Sequence, residues 1–357
     1  MKILVFPKDS NPYQELLYQP MRNAGHIVRY QEGPTPSRTV NIFLLPLSLL
    51  IKRMMGYKIF HLHWTYEFSF HWAGTPGRML SQLLFMWTLI WLKFIGYRLV
   101  WTAHNILPHD QRFYDDLIAR RFLATKSDVI IIHSAAVLAQ MKRAKLKIDK
   151  TVIIPHGSYV DAYPHKVSRE KARKLLGIPD DAFVYAFVGA LHAYKGIEAL
   201  VASFEQLLKN GHKKALRLVI AGAPKDERVH RYLLGAQQRL GDALIVHNHF
   251  IPNEELQNYF ASADVVVLPF VEISTSGSAM LALSFGVPII TPHIGGLQDL
   301  PDGVGYWYDP SDDEALYGAL KKAPTTRGRS RKAEAAKAYA KSLSWKKIAQ
   351  QTLKTYR

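Results

Sequence analysis

Two doubly wound α/β units in series, each built on a parallel sheet, are what this chain of 357 residues predicts. Three observations carry that expectation. Domains commonly run to about 100–200 residues, so two of similar size fit the length. Short apolar segments alternate with longer helical ones along the whole chain, the pattern of parallel strands joined by helical crossovers. The pattern also restarts after a segment bearing Pro155, Gly157 and Pro164, which marks a join.

In the first half the strand candidates are residues 3–6, 27–30, 59–63, 98–102, 129–133 and 151–155. A new helix then runs from 168 to 176, with Ser168 placed to cap it. The second half offers strands at 183–188, 217–221, 244–248, 265–269, 288–291 and 305–308. Residues 321–335, rich in Lys, Arg, Ser and Thr, read as a basic loop, and a last helix follows over 345–356. The expected division is a first domain at 1–160, a second at 161–340 and a closing helix at 341–357. In open parallel sheets ligands bind at the carboxyl ends of the strands, so two facing units predict two ligands in one cleft, as group transfer requires.

Composition narrows the class. Hydrophobic residues at 48% and charged residues at 21% exclude a disordered or fibrous chain. With no cysteine there are no disulfides or thiolate metal sites, which is compatible with a reducing cytoplasm. The apolar start, Met1 to Phe6, is too short for a signal peptide and reads as a strand. The net charge of +17 attracts anions, and it is uneven: residues 1–160 hold 20 Lys/Arg against 9 Asp/Glu, the remainder 26 against 20.

Within the basic half, residues 79–95 form a strongly apolar stretch interrupted by Ser81, Gln82, Thr88 and Lys93. It falls short of the roughly 20 apolar residues that span a bilayer. Two readings remain: a helix buried on a sheet, or one whose Trp87/Trp91 face lies in a membrane interface. Residues 41–55 repeat the theme, with an apolar run that ends in Lys52-Arg53. Together they predict peripheral association with an anionic membrane surface, at the inner face of the cell membrane, and no transmembrane span.

The densest chemistry lies in residues 263–296. An apolar strand ends at Pro269, and a polar loop leads into Ser274-Thr275-Ser276-Gly277-Ser278, the opening of a helix that Gly286 terminates. Hydroxyls, Gly-opened backbone and a helix N-terminus form an anion site suited to a diphosphate, though the same residues also describe an ordinary capped helix.

This region resembles the donor-binding core of GT-B glycosyltransferases related to family GT4. Phe187-Val-Gly189-Ala-Leu-His192-Ala-Tyr-Lys195-Gly196 resembles the family's first turn of the second domain, where a lysine reaches the donor diphosphate. Phe250-Ile251-Pro-Asn-Glu resembles the segment passing the nucleotide base, Gly295-Gly296 the turn before the last strand, and Ser344-Trp345 the start of a C-terminal helix that returns to the first domain. The likeness covers nearly all of 165–357 and rests on the order of its pieces. It implies two Rossmann-like domains and a donor site of Gly189, His192, Lys195, Phe250, Ile251, Glu272, Ser274, Thr275, Ser276, Gly277 and Ser278. Two departures stand out. Ala190 occupies a position where many retaining members carry arginine, and Leu281 one of their two glutamates, with only Glu272 near the other. Retaining and inverting outcomes both stay open, the departures favouring the inverting type.

In the first half, His61-Leu-His63-Trp64 and Trp101-Thr-Ala-His104-Asn105 follow strand candidates, with Pro108-His109-Asp110 beyond. The second segment resembles the histidine segment of β-mannosyltransferases. An inverting transfer needs a base for the acceptor hydroxyl. His104 is a candidate, either as base or as a contact to the donor sugar, and Asp9 and Asp110 are rivals; Glu272 completes the catalytic candidates. His63, Trp64, Asn105, His109 and His156 are placed toward the acceptor, while His156-Gly157 reads equally as a tight turn.

No Asp-x-Asp pair is placed to hold a divalent ion, so neither metal nor cofactor is expected, and Lys195 with the helix N-terminus neutralises the leaving diphosphate. The expected function is a hexosyltransferase moving a sugar, mannose from GDP-mannose first, to a polyprenyl-diphosphate-linked or oligosaccharide acceptor in exopolysaccharide assembly. A UDP-sugar is the alternative donor. Rival readings are a catalytically inactive nucleotide-sugar or glycan binder, another GT-B-like enzyme such as an epimerase or phosphorylase, and a nucleic-acid binder. The last lacks any recognised motif.

Overall fold

The structure, a computed structural model, describes residues 1–70, 74–108, 110–211, 215–325 and 328–357. His109 lies outside them. The chain divides into two compact units: unit 1 comprises Met1–Gly157 with Ser344–Arg357, and unit 2 comprises Ser158–Leu343.

Unit 1 opens with β1 (Lys2–Phe6), α1 (Pro12–Asn23), β2 (Ile27–Tyr30), α2 (Arg38–Met54), β3 (Ile59–Leu62), α3 (Gly74–Phe94), β4 (Arg98–Thr102), α4 (Asp116–Lys126), β5 (Val129–Ile132), α5 (Ala135–Arg143) and β6 (Thr151–Ile153). The strands form one parallel sheet in the order β2-β1-β3-β4-β5-β6. Alternate residues of a strand face opposite ways. Ile3, Val5, Ile59, Val100, Val129 and Ile131 therefore fill the core on one face, and Leu4, Phe6, Phe60, Leu62, Leu99, Trp101, Ile130 and Ile132 that on the other.

Unit 2 continues with α6 (Arg169–Leu175), β7 (Phe183–Val188), α7 (Ile197–Lys209), β8 (Leu216–Ala221), α8 (Glu227–Leu240), β9 (Leu244–His247), α9 (Leu256–Ser262), β10 (Val265–Val267), α10 (Gly277–Ser284), β11 (Ile289–Pro292), β12 (Gly305–Tyr308), α11 (Ala315–Lys322) and α12 (Arg329–Ser342). Its parallel sheet runs β12-β11-β10-β7-β8-β9, the six-strand order of dinucleotide-binding folds. The last helix, α13 (Trp345–Thr355), belongs to unit 1, where Ile348, Ala349 and Tyr356 join the core lined by Tyr13, Leu17 and Tyr18 of α1.

Local chemistry explains most boundaries. Ser168 caps α6 by accepting the N–H of Lys171, and Gly286 leaves α10 in the left-handed region that L side chains avoid, with φ 72°. Gly157 serves no turn of positive φ. A Cβ there would lie 2.3 Å from the Trp345 ring, so glycine is required by close packing of α13. The basic stretch 321–335, expected as a loop, is largely helical: α11 ends at Lys322 and α12 begins at Arg329. The alanines decide this, because Ala336 and Ala340 bury one narrow face of α12 while Arg331, Lys337 and Lys341 stay in water.

Helices α2 and α3 form from the two apolar segments, and each has a buried and an exposed apolar face. Phe85, Leu89 and Leu92 of α3 and Ile42, Leu45 and Leu49 of α2 are buried, whereas Phe43, Leu47, Ile51, Met54, Leu83, Trp87 and Phe94 are exposed. The indole N–H of Trp91 donates to the Pro46 carbonyl at 3.0 Å, setting the two helices side by side. Among the described residues no helix is long and apolar enough to cross a membrane.

Unit 2 carries one buried ion-pair hub. The Asp264 carboxylate, 2% exposed, bonds Arg173 at 2.9 Å and Arg169 at 2.8 Å, lies 3.2 Å from Arg329 and accepts the Val184 N–H. Removing that carboxylate strands a buried guanidinium. Asp264→Ala is expected to destabilise unit 2 by about 3–5 kcal/mol in urea unfolding, and a loss below about 1 kcal/mol would show the hub to be dispensable.

Candidate active site

Where winding about a parallel sheet reverses direction, the crossovers leave on opposite faces and a crevice opens at the strand ends. In unit 2 that point lies between β7 and β10, neighbours in the sheet but distant in sequence. In unit 1 it lies between β1 and β3. Most of the sequence candidates stand at these two places.

At the end of β7, Gly189 adopts φ 138°, and a Cβ on Gly222 would fall 1.9 Å from its carbonyl oxygen. The chain makes a short turn through Ala193–Lys195, and Gly196 crosses Pro269 so closely that a Cβ would lie 2.0 Å from the Pro269 oxygen. Gly196 lets the turn press against the chain just after β10, and Gly222 lets the end of β8 approach Gly189. The turn aims Lys195 inward: it is 8% exposed, and its Nζ sits 5.8 Å from the Phe187 ring centroid. A Cβ built on Gly189 would be 3.4 Å from Lys195 Nζ and 3.5 Å from Ser278 Oγ, so both groups border the space that Gly189 leaves open. Among the described residues no carboxylate pairs with Lys195. Burial without a counter-charge lowers its pKa to about 8.

The loop after β10 is tied to this turn by the Val271 N–H, which donates to the Tyr194 carbonyl, and to the next turn by the Gly296 N–H, which donates to Ser274 O. Ser276 caps α10 by accepting the Ala279 N–H at 3.0 Å. Thr275 Oγ1 is buried with no hydrogen-bond partner among the described residues, and Gly277 opens the helix. Lys195 and Ser278 thus border one space beside the N-terminus of α10, which Ser276 and Gly277 open. His192 precedes the turn, its ring packed against Tyr194. Glu272 is exposed on the same loop. Phe250 (72% exposed) and the buried Ile251 follow β9, two strands from β7, so they do not join the lysine and can meet only another part of a long ligand.

In unit 1, histidines recur at successive strand ends. His61 and His63 lie on and after β3, His104 after β4, His133 after β5 and His156 after β6. Tyr13, in the first turn of α1, packs its ring 4.8–5.8 Å from those of His63, His104, His133 and His156. Trp64 stacks on His104 at 4.5 Å with the rings 10° apart. Burial depresses every one of these imidazoles, to about 3 for His61 and His156 and about 4 for His133, and neighbouring histidines add to the effect at His63 and His104. The cluster is therefore neutral at physiological pH. Among the described residues no group of His, Asp or Glu has a metal-binding arrangement.

Asp9, half-buried in the loop after β1, accepts the Tyr66 hydroxyl at 2.8 Å and the Asn11 N–H at 2.7 Å. Asp110 does not reach the cluster: its side chain is exposed and faces Arg112 at 3.5 Å. Asn105 is half-buried beside His104 in the chain. Tyr13, Tyr18 and His133 were missed by sequence reasoning, while His61 was marked only as part of the His61–Trp64 segment. A signal existed for His133, which ends a strand candidate as His63 does; Tyr13 and Tyr18 carry no local mark and come to the site only through packing of α1.

Comparison with known proteins bears on the fold and on the second unit. Residues 182–324 match the family described as Glycosyl transferases group 1. The D-inositol 3-phosphate glycosyltransferase of Corynebacterium urealyticum is 28% identical over 317 residues, 85% of this chain and 72% of its own. The GDP-mannose:glycolipid 4-beta-D-mannosyltransferase of Xanthomonas campestris pv. campestris is 24% identical over 278 residues, 74% of this chain and 70% of its own. The crystal structure of Anabaena Alr3699/HepE in complex with UDP superposes with a TM-score of 0.75 at 17% identity, covering 99% of each chain.

Because Lys195 is charged below about pH 8 and neutral above it, affinity for a nucleoside diphosphate should fall as pH rises from 7.5 to 9. The phosphates are already ionised over that range, so calorimetric titration isolates the lysine. Lys195→Ala should bind more weakly at pH 7.5 and lose the pH dependence; an unchanged profile in the variant would remove Lys195 from the anion site.

Proposed function

We propose that the chain, which matches the group 1 glycosyltransferases over residues 182–324 and has the GT-B fold, transfers mannose from GDP-mannose to a lipid-linked or oligosaccharide acceptor, without a metal ion. The observation that carries the donor half is the buried, uncompensated Lys195 beside Ser278 and the N-terminus of α10. When the acceptor oxygen forms its bond to the anomeric carbon, the bond from that carbon to the diphosphate oxygen breaks, and negative charge grows on the leaving group. A fixed ammonium and oriented N–H groups stabilise that charge without reorganisation. They supply the electrostatic role that a divalent ion fills elsewhere.

Unit 1 supplies the acceptor side. The proton of the attacking hydroxyl goes to Asp9 or His104, the two candidate bases that stand at the strand ends of unit 1; Asp110, exposed and paired, is set aside. His63, Trp64, Asn105 and His156 wall the acceptor. Mannose from GDP is favoured by the Xanthomonas relative, which acts on a glycolipid. A UDP-sugar is the second reading, favoured by the UDP bound in the Anabaena structure.

A lipid-linked acceptor also suits the exposed apolar faces of α2 and α3, which lie side by side with Lys52 and Arg53 at the end of α2. Such faces enter the headgroup region, and the basic residues are drawn to anionic lipid.

Two experiments test the proposal. In excess chelator, GDP should raise the melting temperature more than UDP, ADP or dTDP at equal concentration; a UDP-selective shift would discard mannose, and absence of any shift would discard the donor site. Vesicles containing anionic lipid should sediment the protein, and Leu47→Ser with Trp87→Ser should release most of it. Binding that is absent, or indifferent to those changes, argues against the membrane face.

A further inference from the structure

Behind His104 runs a closed set of hydrogen bonds whose proton positions can be deduced. His104 Nε2 lies 3.1 Å from His63 Nδ1. The ring centroids are 5.4 Å apart and the planes 25° from parallel, which is the spacing of two imidazoles joined edge to edge by an in-plane N–H···N bond. His63 Nε2 lies 2.7 Å from the Tyr18 hydroxyl, which is 2.7 Å from His61 Nδ1 and also bonds the Tyr356 hydroxyl. Tyr356 in turn is 2.6 Å from His61 Nδ1, and His61 Nε2 is 2.8 Å from Thr102 Oγ1. Tyr18, His61 and Thr102 are fully buried, Tyr356 nearly so.

Each neutral imidazole has one N–H and one lone pair, and each hydroxyl one proton. Thr102 Oγ1 has no partner but His61 Nε2 among the described residues, so its proton is satisfied only if it donates there. His61 must then carry its own proton on Nδ1 and donate it to a tyrosine oxygen. With that nitrogen protonated, Tyr356 can donate only to Tyr18, and Tyr18 only to His63 Nε2. His63 therefore donates from Nδ1 to His104 Nε2. Every other assignment leaves a buried hydroxyl proton unpaired, the costly outcome in a low-dielectric interior.

We infer that Thr102, His61, Tyr356, Tyr18 and His63 are positioning residues that hold His104 in the tautomer with its proton on Nδ1, so that His104 offers a ligand oxygen a hydrogen-bond donor and leaves the acceptor's proton to Asp9. Nδ1 is the ring nitrogen of His104 without a partner among the described residues, and Trp64 fixes the ring plane. Its ligand is an oxygen with a lone pair, such as a sugar hydroxyl. This rests on the reading of unit 1 as a substrate-binding surface of a transferase.

The first test does not need catalysis. Long-range proton–nitrogen spectra of protein labelled with ¹⁵N-histidine separate protonated from bare ring nitrogens. His104 should show a protonated Nδ1 and a bare Nε2, and the reverse pattern overturns the inference whatever the activity. The second test is kinetic. His104→Asn keeps an N–H near the place of Nδ1 but no base. It should retain activity within about tenfold, while His104→Ala loses about 10²-fold, the usual loss for one catalytic donor. Equal loss in both variants overturns the donor role. Tyr18→Phe should lower kcat about five- to tenfold with the donor KM unchanged, matching the loss of one neutral hydrogen bond, and should reduce the Nδ1-protonated signal. A protein that shows the expected tautomer yet transfers no sugar would sink the transferase proposal alone.

Discussion

A parallel sheet puts the carboxyl ends of all its strands on one edge, and where the winding reverses no crossover covers that edge. The candidate sites of both units depend on that constraint. In unit 2 the reversal separates β7 from β10, which is why a turn at 189–196 and a loop at 270–276, some eighty residues apart, meet at one lysine. In unit 1 it separates β1 from β3, so the Asp9 loop and the His63-Trp64 segment share a crevice. Glycines at 189, 196 and 222 are the local condition for this closeness, because any Cβ at 196 or 222 would strike the neighbouring backbone.

The two crevices are electrically different. Lys195 is buried without a carboxylate, and burial alone lowers its pKa to about 8. Such a group is an unsatisfied cation awaiting an anion, and the N-terminus of α10 adds to the same demand. The histidine cluster is the opposite case. Its members are stacked and hydrogen-bonded to one another and to tyrosines, and burial keeps them neutral. A neutral network discriminates by direction, offering donors and lone pairs at set positions, where the lysine discriminates by charge.

Stability and function use separate polar devices. The Asp264 hub ties α6, β7 and α12 of unit 2 together around a carboxylate sealed from water, and none of its residues reaches the β7/β10 crevice. In unit 1, by contrast, the helix that closes the chain enters the histidine network through Tyr356, so packing of α13 and the proton arrangement behind His104 are one structure. The apolar faces of α2 and α3 serve neither core.

The sequence by itself determined the strands, because continuous Val/Ile/Leu runs bounded by Pro, Gly and polar residues have few other uses. All twelve candidates are strands in the structure, with ends shifted by two residues at most. It also marked the candidate anion site, since Ser-Thr-Ser-Gly before an apolar helix and Lys195-Gly196 after a strand are local patterns with local chemistry. It failed at 321–335, where charge suggested a loop but buried alanines hold a helix. The tertiary structure alone decided which distant residues meet. Tyr13, Tyr18 and Tyr356 are ordinary helix residues in sequence, and Asp110 looked as plausible as Asp9 until one proved exposed and the other held in the crevice. Those choices follow from sheet order and helix docking, which no short window of sequence contains, because a contact between residues hundreds of positions apart is fixed by how whole elements pack.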